Sequence, residues 1–194
     1  MRRKAFDAIA TAVGVVLTLV LLVAGGLLMA GYSFANSNVH DQLAAQQIYF
    51  PAKGSDALKS PDIGPYLNQY AGQQLVTGAQ AQAYADHFIA VHLKEVAGGK
   101  TYAQASTAAQ ADPTNTQLQG QVATLFKGET LRGMLLNAYA FWKLGQIALY
   151  AAIASFALAA VMAALTVLGW RHLRHTPADA EIFTPKNERE PVNA

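Results

Sequence analysis

Polar and apolar residues are separated along this chain in long blocks. From Ala8 to Ala30 there is no charged residue, and the uncharged run continues through His40. Its middle, Val13 to Leu28, is aliphatic side chains, glycine and threonine. At 1.5 Å per helical residue the first block covers about 35 Å, enough to cross a hydrocarbon core of ~30 Å with some tilt. Leu144 to Leu168 is a second block of the same kind. Both predict membrane-spanning helices.

The segment between them carries helix signals of another sort. Val39 and Leu43, followed by Gln46 and Gln47, continue the first helix at helical spacing. Tyr49 to Pro65 holds Pro51, Gly54, Pro61 and Pro65 and predicts an extended connector. A short helix is expected over Tyr66 to Gln73. Thr77 with Gln80 has the form of a capping box, and the helix it opens aligns Ala81, Tyr84, Phe88 and Val91 before Gly98-Gly99 ends it. Thr101 with Gln104 repeats the capping form for a helix reaching about Asp112. Another is expected from Thr116 to Lys127, with Leu118, Val122, Leu125 and Phe126 buried and Gly128 as its stop. From Thr130 the chain predicts a helix running into the second apolar block, with Leu131, Leu135, Ala138 and Trp142 facing the small domain.

Composition agrees with this partition. Charged residues make up 13% of 194 residues and hydrophobic ones 53%, against about 25% charged in an ordinary globular chain. A net charge of +2 gives no support to a nucleic-acid surface. With no cysteine, disulfide scaffolds, thiolate metal sites and cysteine nucleophiles are excluded.

Flanking charge sets the expected orientation. Arg2, Arg3 and Lys4 precede the first block and Arg171 and Arg174 follow the second, whereas no Lys or Arg occurs between Lys4 and Lys53. The positive-inside rule then places both ends in the cytoplasm. Lys143 and Arg132 weaken the contrast beside the second block. A basic start and the small-x-small string Ser33-Phe34-Ala35 also suit a cleaved signal peptide, and Arg2-Arg3 resembles part of a twin-arginine signal. The first block is, however, much longer than a signal's apolar region of about 7–15 residues. Aromatic residues bracket both blocks, Phe6, Tyr32 and Phe34 the first, Tyr139, Trp142 and Trp170 the second. Tyr32, Tyr139, Trp142 and Trp170 are the expected membrane-interface residues.

Small residues recur every four positions at Ala10, Gly14 and Thr18, and at Ala151, Ser155, Ala159 and Ala163. Such ridges let helix backbones approach closely. They serve either the packing of the two spans on each other or contact with another subunit, and the pattern alone does not choose. Neither span contains Asp, Glu, Lys, Arg or His, which argues against a proton relay built from them.

Candidate chemistry is sparse. His87 and His92 sit beside Asp86 and Glu95, but five residues at 100° each turn the two imidazoles about 140° apart on a helix. His92 and Glu95, three apart, share a face yet fall short of the three or four ligands of a zinc site. No nucleophile elbow, phosphate loop or dinucleotide glycine pattern occurs. No catalytic, cofactor-binding or metal-ligating residue is assigned. Tyr49-Phe50-Pro51 and Tyr66 to Tyr70 supply either an exposed aromatic surface or part of the domain's own core. From Thr176 onward Pro177, Pro185, Pro191 and mixed charge predict a disordered tail.

Four strings, Gly31-Tyr32-Ser33-Phe34-Ala35-Asn36, Gln46-Gln47-Ile48-Tyr49-Phe50-Pro51, Tyr66-Leu67-Asn68-Gln69-Tyr70-Ala71-Gly72 and Ala111-Asp112-Pro113-Thr114-Asn115-Thr116, resemble an uncharacterised family of small actinobacterial two-span membrane proteins. The resemblance covers nearly the whole chain apart from the tail. It implies the two-span architecture and a high-GC bacterial source, and no activity.

The expected fold is therefore an all-α membrane protein of the bacterial plasma membrane. Residues 1–7 form a cytoplasmic N-terminus, 8–33 the first transmembrane helix and 34–143 an inserted extracytoplasmic helical domain. Residues 144–170 form the second transmembrane helix and 171–194 a cytoplasmic tail. The expected function is a non-enzymatic accessory or scaffolding subunit that meets the lipid bilayer and a membrane-protein partner or a second copy of itself. The alternatives are a homo-oligomeric two-span channel or transporter component, and an extracytoplasmic lipid- or solute-binding sensor. The sensor would require an apolar pocket between the external helices.

Overall fold

The computed structural model describes residues 2–177 together with Ala180 and Ile182. The chain is all-helical, and among the described residues extended pairing is limited to isolated bridges such as Tyr49 with Gln74. Two helices dominate, α1 (Arg3–Ala45, 43 residues) and α6 (Thr116–His175, 60 residues). Each is long and apolar enough to cross a membrane. Only 11% of the apolar window in α1 and 17% of that in α6 is buried, far less than in the core helix of a soluble protein. The chain divides into two compact units, residues 1–30 with 149–194, and residues 31–148.

In the first unit α1 and α6 pair antiparallel. Asp7 meets Thr176 and His172, and Ser155 Oγ donates to the Leu21 carbonyl at 2.8 Å. The shielded positions of α1 there are Asp7, Thr11, Gly14, Thr18, Leu21, Gly25 and Leu28, with Ala24 beside Gly25; apart from Ala24 they alternate at three- and four-residue steps. This is the seam of a left-handed helix pair. A ridge of strict four-residue steps drifts about 40° round the helix per step, so it cannot follow a partner for long. Hence Gly14 is buried, Thr18 half-buried and Ala10 exposed, and on α6 Ser155 and Ala159 are buried while Ala151 and Ala163 are half-buried. Ala152 and Gly25, outside the four-step ridges, are buried. A Cβ on Gly14 would strike the Thr166 side chain, and one on Gly25 would lie 2.8 Å from Phe156 Cε1. Ser155→Ala removes its hydrogen bond to the Leu21 carbonyl, the only side-chain bond from α6 to the α1 backbone among the described residues. It is expected to lower stability by about 0.6 kcal/mol and at most ~1.7, read as a shift in thermal unfolding in mild detergent.

α6 continues to His175, and Thr176 Oγ reaches the His172 carbonyl at 3.0 Å and Asp7 Oδ2 at 3.3 Å. Residues 171–175 are therefore the last turns of α6, where the tail was expected to start. Beyond Pro177, apart from Ala180 and Ile182, the tail lies outside the described residues.

The second unit packs short helices against the ends of α1 and α6. They are α2 (Gly64–Leu67), α3 (Gly78–Ala83), α4 (Ala90–Val96) and α5 (Tyr102–Ala111). The expected helix over Tyr66 to Gln73 is instead the end of α2 followed by a 3₁₀ turn, Asn68–Tyr70. Both capping boxes form: Gln80 N donates to Thr77 Oγ1 at 3.2 Å and Gln104 N to Thr101 Oγ1 at 3.3 Å, and each Gln oxygen accepts from the capped backbone. Between α3 and α4 the helix widens into a π-helical turn, Tyr84–Ile89, with the Ala90 amide donating to the Ala85 carbonyl. Gly98 and Gly99, at φ 57° and 80°, end α4 in the left-handed region.

The main core gathers Val39 and Leu43 of α1, Leu135 of α6, and Phe50, Leu58, Ile63, Leu67, Leu75, Ala81 and Ala85. Tyr84, Phe88, Val91, Ala138 and Trp142 pack against it. A second cluster joins Leu93, Ala97, Ala105 and Leu125. One expected burial fails, as Phe126 is 58% exposed; Leu131, expected to face the small domain, borders a cavity with Phe88 and His92 while 51% exposed. Gly128 does not stop a helix, because α6 runs through it without a break. A Cβ there would collide with the Leu93 side chain, so this glycine admits α4 to close contact.

Candidate functional site

Two concave surfaces stand out, both within residues 31–148. The first is an open polar cleft of about 690 Å³ beside the π-helical turn. Asp62, Tyr66, Asp86, His87, Lys94 and Glu95 line it. The wide turn displays Asp86 and His87 side by side. The His87 ring stacks on Tyr66 with centroids 3.5 Å apart and planes within 4°. Asp86 is engaged elsewhere, accepting from Arg132 Nη2 at 3.1 Å, with Glu129 a further 3.5 Å contact of the same guanidinium. His92 points away, its Nδ1 2.7 Å from the Phe88 carbonyl, which it reaches by donating its ring N–H. The two histidines thus each pack on an aromatic neighbour, Tyr66 for one and Phe88 for the other. Among the described residues, no three His, Asp or Glu side chains are gathered to hold a metal ion.

The Asp86–Arg132 pair fixes the wide turn to α6. Both side chains are about one-third exposed, so the value lies between that of a surface pair and a buried one. Asp86→Ala is expected to cost about 1 kcal/mol, and the loss should shrink in high salt. Equilibrium unfolding of the full chain in mild detergent at two ionic strengths checks both.

The second surface is apolar. A groove of about 550 Å³ lies between α1 and α6. Its floor is Val39, Leu43 and Leu135, each under 7% exposed, and its walls are Phe34, Met134 and Phe141, each more than half exposed. Four neutral amides, Asn38, Gln42, Gln46 and Asn137, line it, and no charged residue does. The floor is buried because Val39 and Leu43 on α1 meet Leu135 on α6 in one core. A smaller cavity of about 320 Å³ shares Gln46, Met134 and Leu135 with it and extends to Phe88, His92 and Leu131. Tyr84 borders that end, and burial pushes its phenol above the ordinary value.

The expected interface residues are divided between roles. Tyr32 and Tyr139 are half-buried, and Trp170 is 51% exposed with the Arg174 guanidinium 4.5 Å from its ring centroid. Trp142 packs on the core, and Gly78 gives it room, since a Cβ at Gly78 would meet the indole. Of the aromatic strings, Phe50 and Tyr70 join the core at 5.2 Å between centroids, while Tyr49 and Tyr66 are exposed. Phe34, Met134 and Phe141 were missed as a group because Phe34 on α1 stands 100 and 107 residues before the other two on α6. No family model, curated protein or solved structure matches the chain.

Proposed function

We propose that the chain is a non-enzymatic accessory or scaffolding subunit of a larger membrane complex. In this reading α1 and α6 cross a bacterial plasma membrane, both ends lie in the cytoplasm and residues 34–143 lie outside. The likeness to actinobacterial two-span proteins belongs to the same proposal. The observation that carries it is the unburied state of the charge-free apolar stretches of two long helices, Ala8 to Ala30 and Leu144 to Leu168. Leu19, Val23, Leu27, Ile153, Leu158 and Val161 are all more than half exposed, a surface that hydrocarbon covers without cost and water does not.

The accessory role is supported by small residues left over once the internal seam is filled. Gly26 has open space where a Cβ would stand, and Ala157, Ala160 and Ala164 are exposed on α6. Small outward positions on apolar helices suit a second helix. Native mass measurement after gentle detergent extraction tests this. Assemblies heavier than the 20.6 kDa chain are expected, diminished by Ala160→Leu with Ala164→Leu. A bare monomer at every detergent level would sink the reading.

A further inference from the structure

We infer that the paired helix ends around Arg3 and Arg174 hold the headgroup of an anionic phospholipid. This rests on the membrane placement proposed above and adds a preferred lipid to it.

Antiparallel pairing gathers cations that lie far apart in the sequence. Arg2, Arg3 and Lys4 stand at the start of α1, and Arg171 and Arg174 belong to the last turns of α6. The Arg3 amide donates to the Ala180 carbonyl at 2.9 Å, and Arg3 Nη2 lies 3.5 Å from His172 Nε2. All five cations are exposed, and among the described residues none of them is in an ion pair. The single carboxylate among the described residues of this unit is Asp7. Its side chain is only 16% exposed and meets Thr176 and His172. Among the described residues, the exposed charge of this end is therefore all positive.

Helix electrostatics does not account for the arrangement. A helix start favours carboxylates and a helix end favours cations. Arg171 and Arg174 obey that rule. Arg2, Arg3 and Lys4 break it, since the first turn of α1 has no acidic residue. Cations set against a helix dipole, beside two further cations, require an anion from outside the described chain.

The surroundings select a lipid as its source. Trp170, 51% exposed, has the Arg174 guanidinium 4.5 Å from its ring centroid, and tryptophan favours the headgroup level. Apolar surface begins at once, for Phe6, Ile9, Val167 and Leu168 are each more than half exposed. One phospholipid answers both parts, its phosphate on the arginine forks and its acyl chains along the helices. A nucleic acid or an acidic peptide would leave the apolar part uncovered. The tail carboxylates Asp179, Glu181, Glu188 and Glu190 lie outside the described residues.

The test reconstitutes the full chain in vesicles of phosphatidylcholine and phosphatidylglycerol in equal parts. The chain is then extracted in mild detergent, and retained lipids are identified by native mass measurement. Phosphatidylglycerol is expected to exceed phosphatidylcholine roughly thirtyfold, at about fivefold for each cation beside the headgroup. Arg3→Gln with Arg174→Gln should lower that ratio about 25-fold. Lys4→Gln with Arg171→Gln should act likewise and serves if the first pair fails to insert. Lys100→Gln with Lys127→Gln, in the second unit, should leave the ratio as it is. A ratio unmoved by both helix-end pairs would overturn the inference. Equal retention of the two lipids, as from a patch neutralised by the tail, would overturn it and spare the membrane reading. A chain that stays in solution without detergent and retains neither lipid would overturn both. Loss of phosphatidylglycerol to equimolar inorganic phosphate or polyglutamate would overturn a lipid partner.

Discussion

Leu19→Arg is expected to reduce insertion of α1 by more than a hundredfold, and Leu158→Arg to do the same for α6. Both leucines sit near the middle of the uncharged runs and are 57% and 55% exposed. In a bilayer, replacing leucine by arginine at the helix centre costs about 3–4 kcal/mol, and each ~1.4 kcal/mol is a factor of ten. In water the same exchange at an exposed position changes stability by about 0.5 kcal/mol or less in either direction. The two environments therefore predict opposite outcomes for one substitution. The fraction of each variant resisting alkaline extraction from membranes reads the difference, and wild-type levels for both variants would remove the case for a lipid surround.

Leu67→Ala is expected to have the largest effect on the small domain. Leu67 is fully buried in the core that joins α1, α6 and the short helices. Removing its branched end forfeits transfer energy and leaves a cavity, about 2–5 kcal/mol together. Whole domains are held by about 5–15 kcal/mol, so one residue carries a large share. Hydrogen exchange of residues 31–148 in mild detergent should rise, with the amides of α2 and α3 exchanging tens of times faster or more. Tyr66→Ala, at a neighbouring residue 47% exposed, should change exchange much less. Equal effects from the two would contradict the assignment of the core.

Much of this architecture is legible in the sequence because it rests on local rules. The two long helices follow from uninterrupted apolar length, and the starts of α3 and α5 from Thr-x-x-Gln, whose four groups satisfy one another within a single turn. The aligned residues Ala81, Tyr84, Phe88 and Val91 reach the core as their spacing predicts. What was not legible depends on partners distant in the chain. Gly128 reads as a helix stop by type, and only the arrival of Leu93 explains it otherwise. The seam between α1 and α6 has a three-four rhythm, whereas the eye finds the four-step ridge of alanines first. The groove wall combines residues near 34 with residues near 141, and no local pattern announces which exposed faces become neighbours.

The π-helical turn has a consequence for chain length. Hydrogen bonding there spans five residues where an ordinary helix spans four, so one amino acid between Tyr84 and Ile89 is surplus to regular winding. Losing one of them would let the backbone close up as an uninterrupted α-helix without breaking its ladder, and α4 would keep nearly its present phase relative to α3, since the wider turn already absorbs the surplus residue. Leu93 would then stay in the notch at Gly128. A one-residue deletion in this stretch should accordingly spare the packing of α4 and act on what the wide turn itself displays, Asp86 and His87.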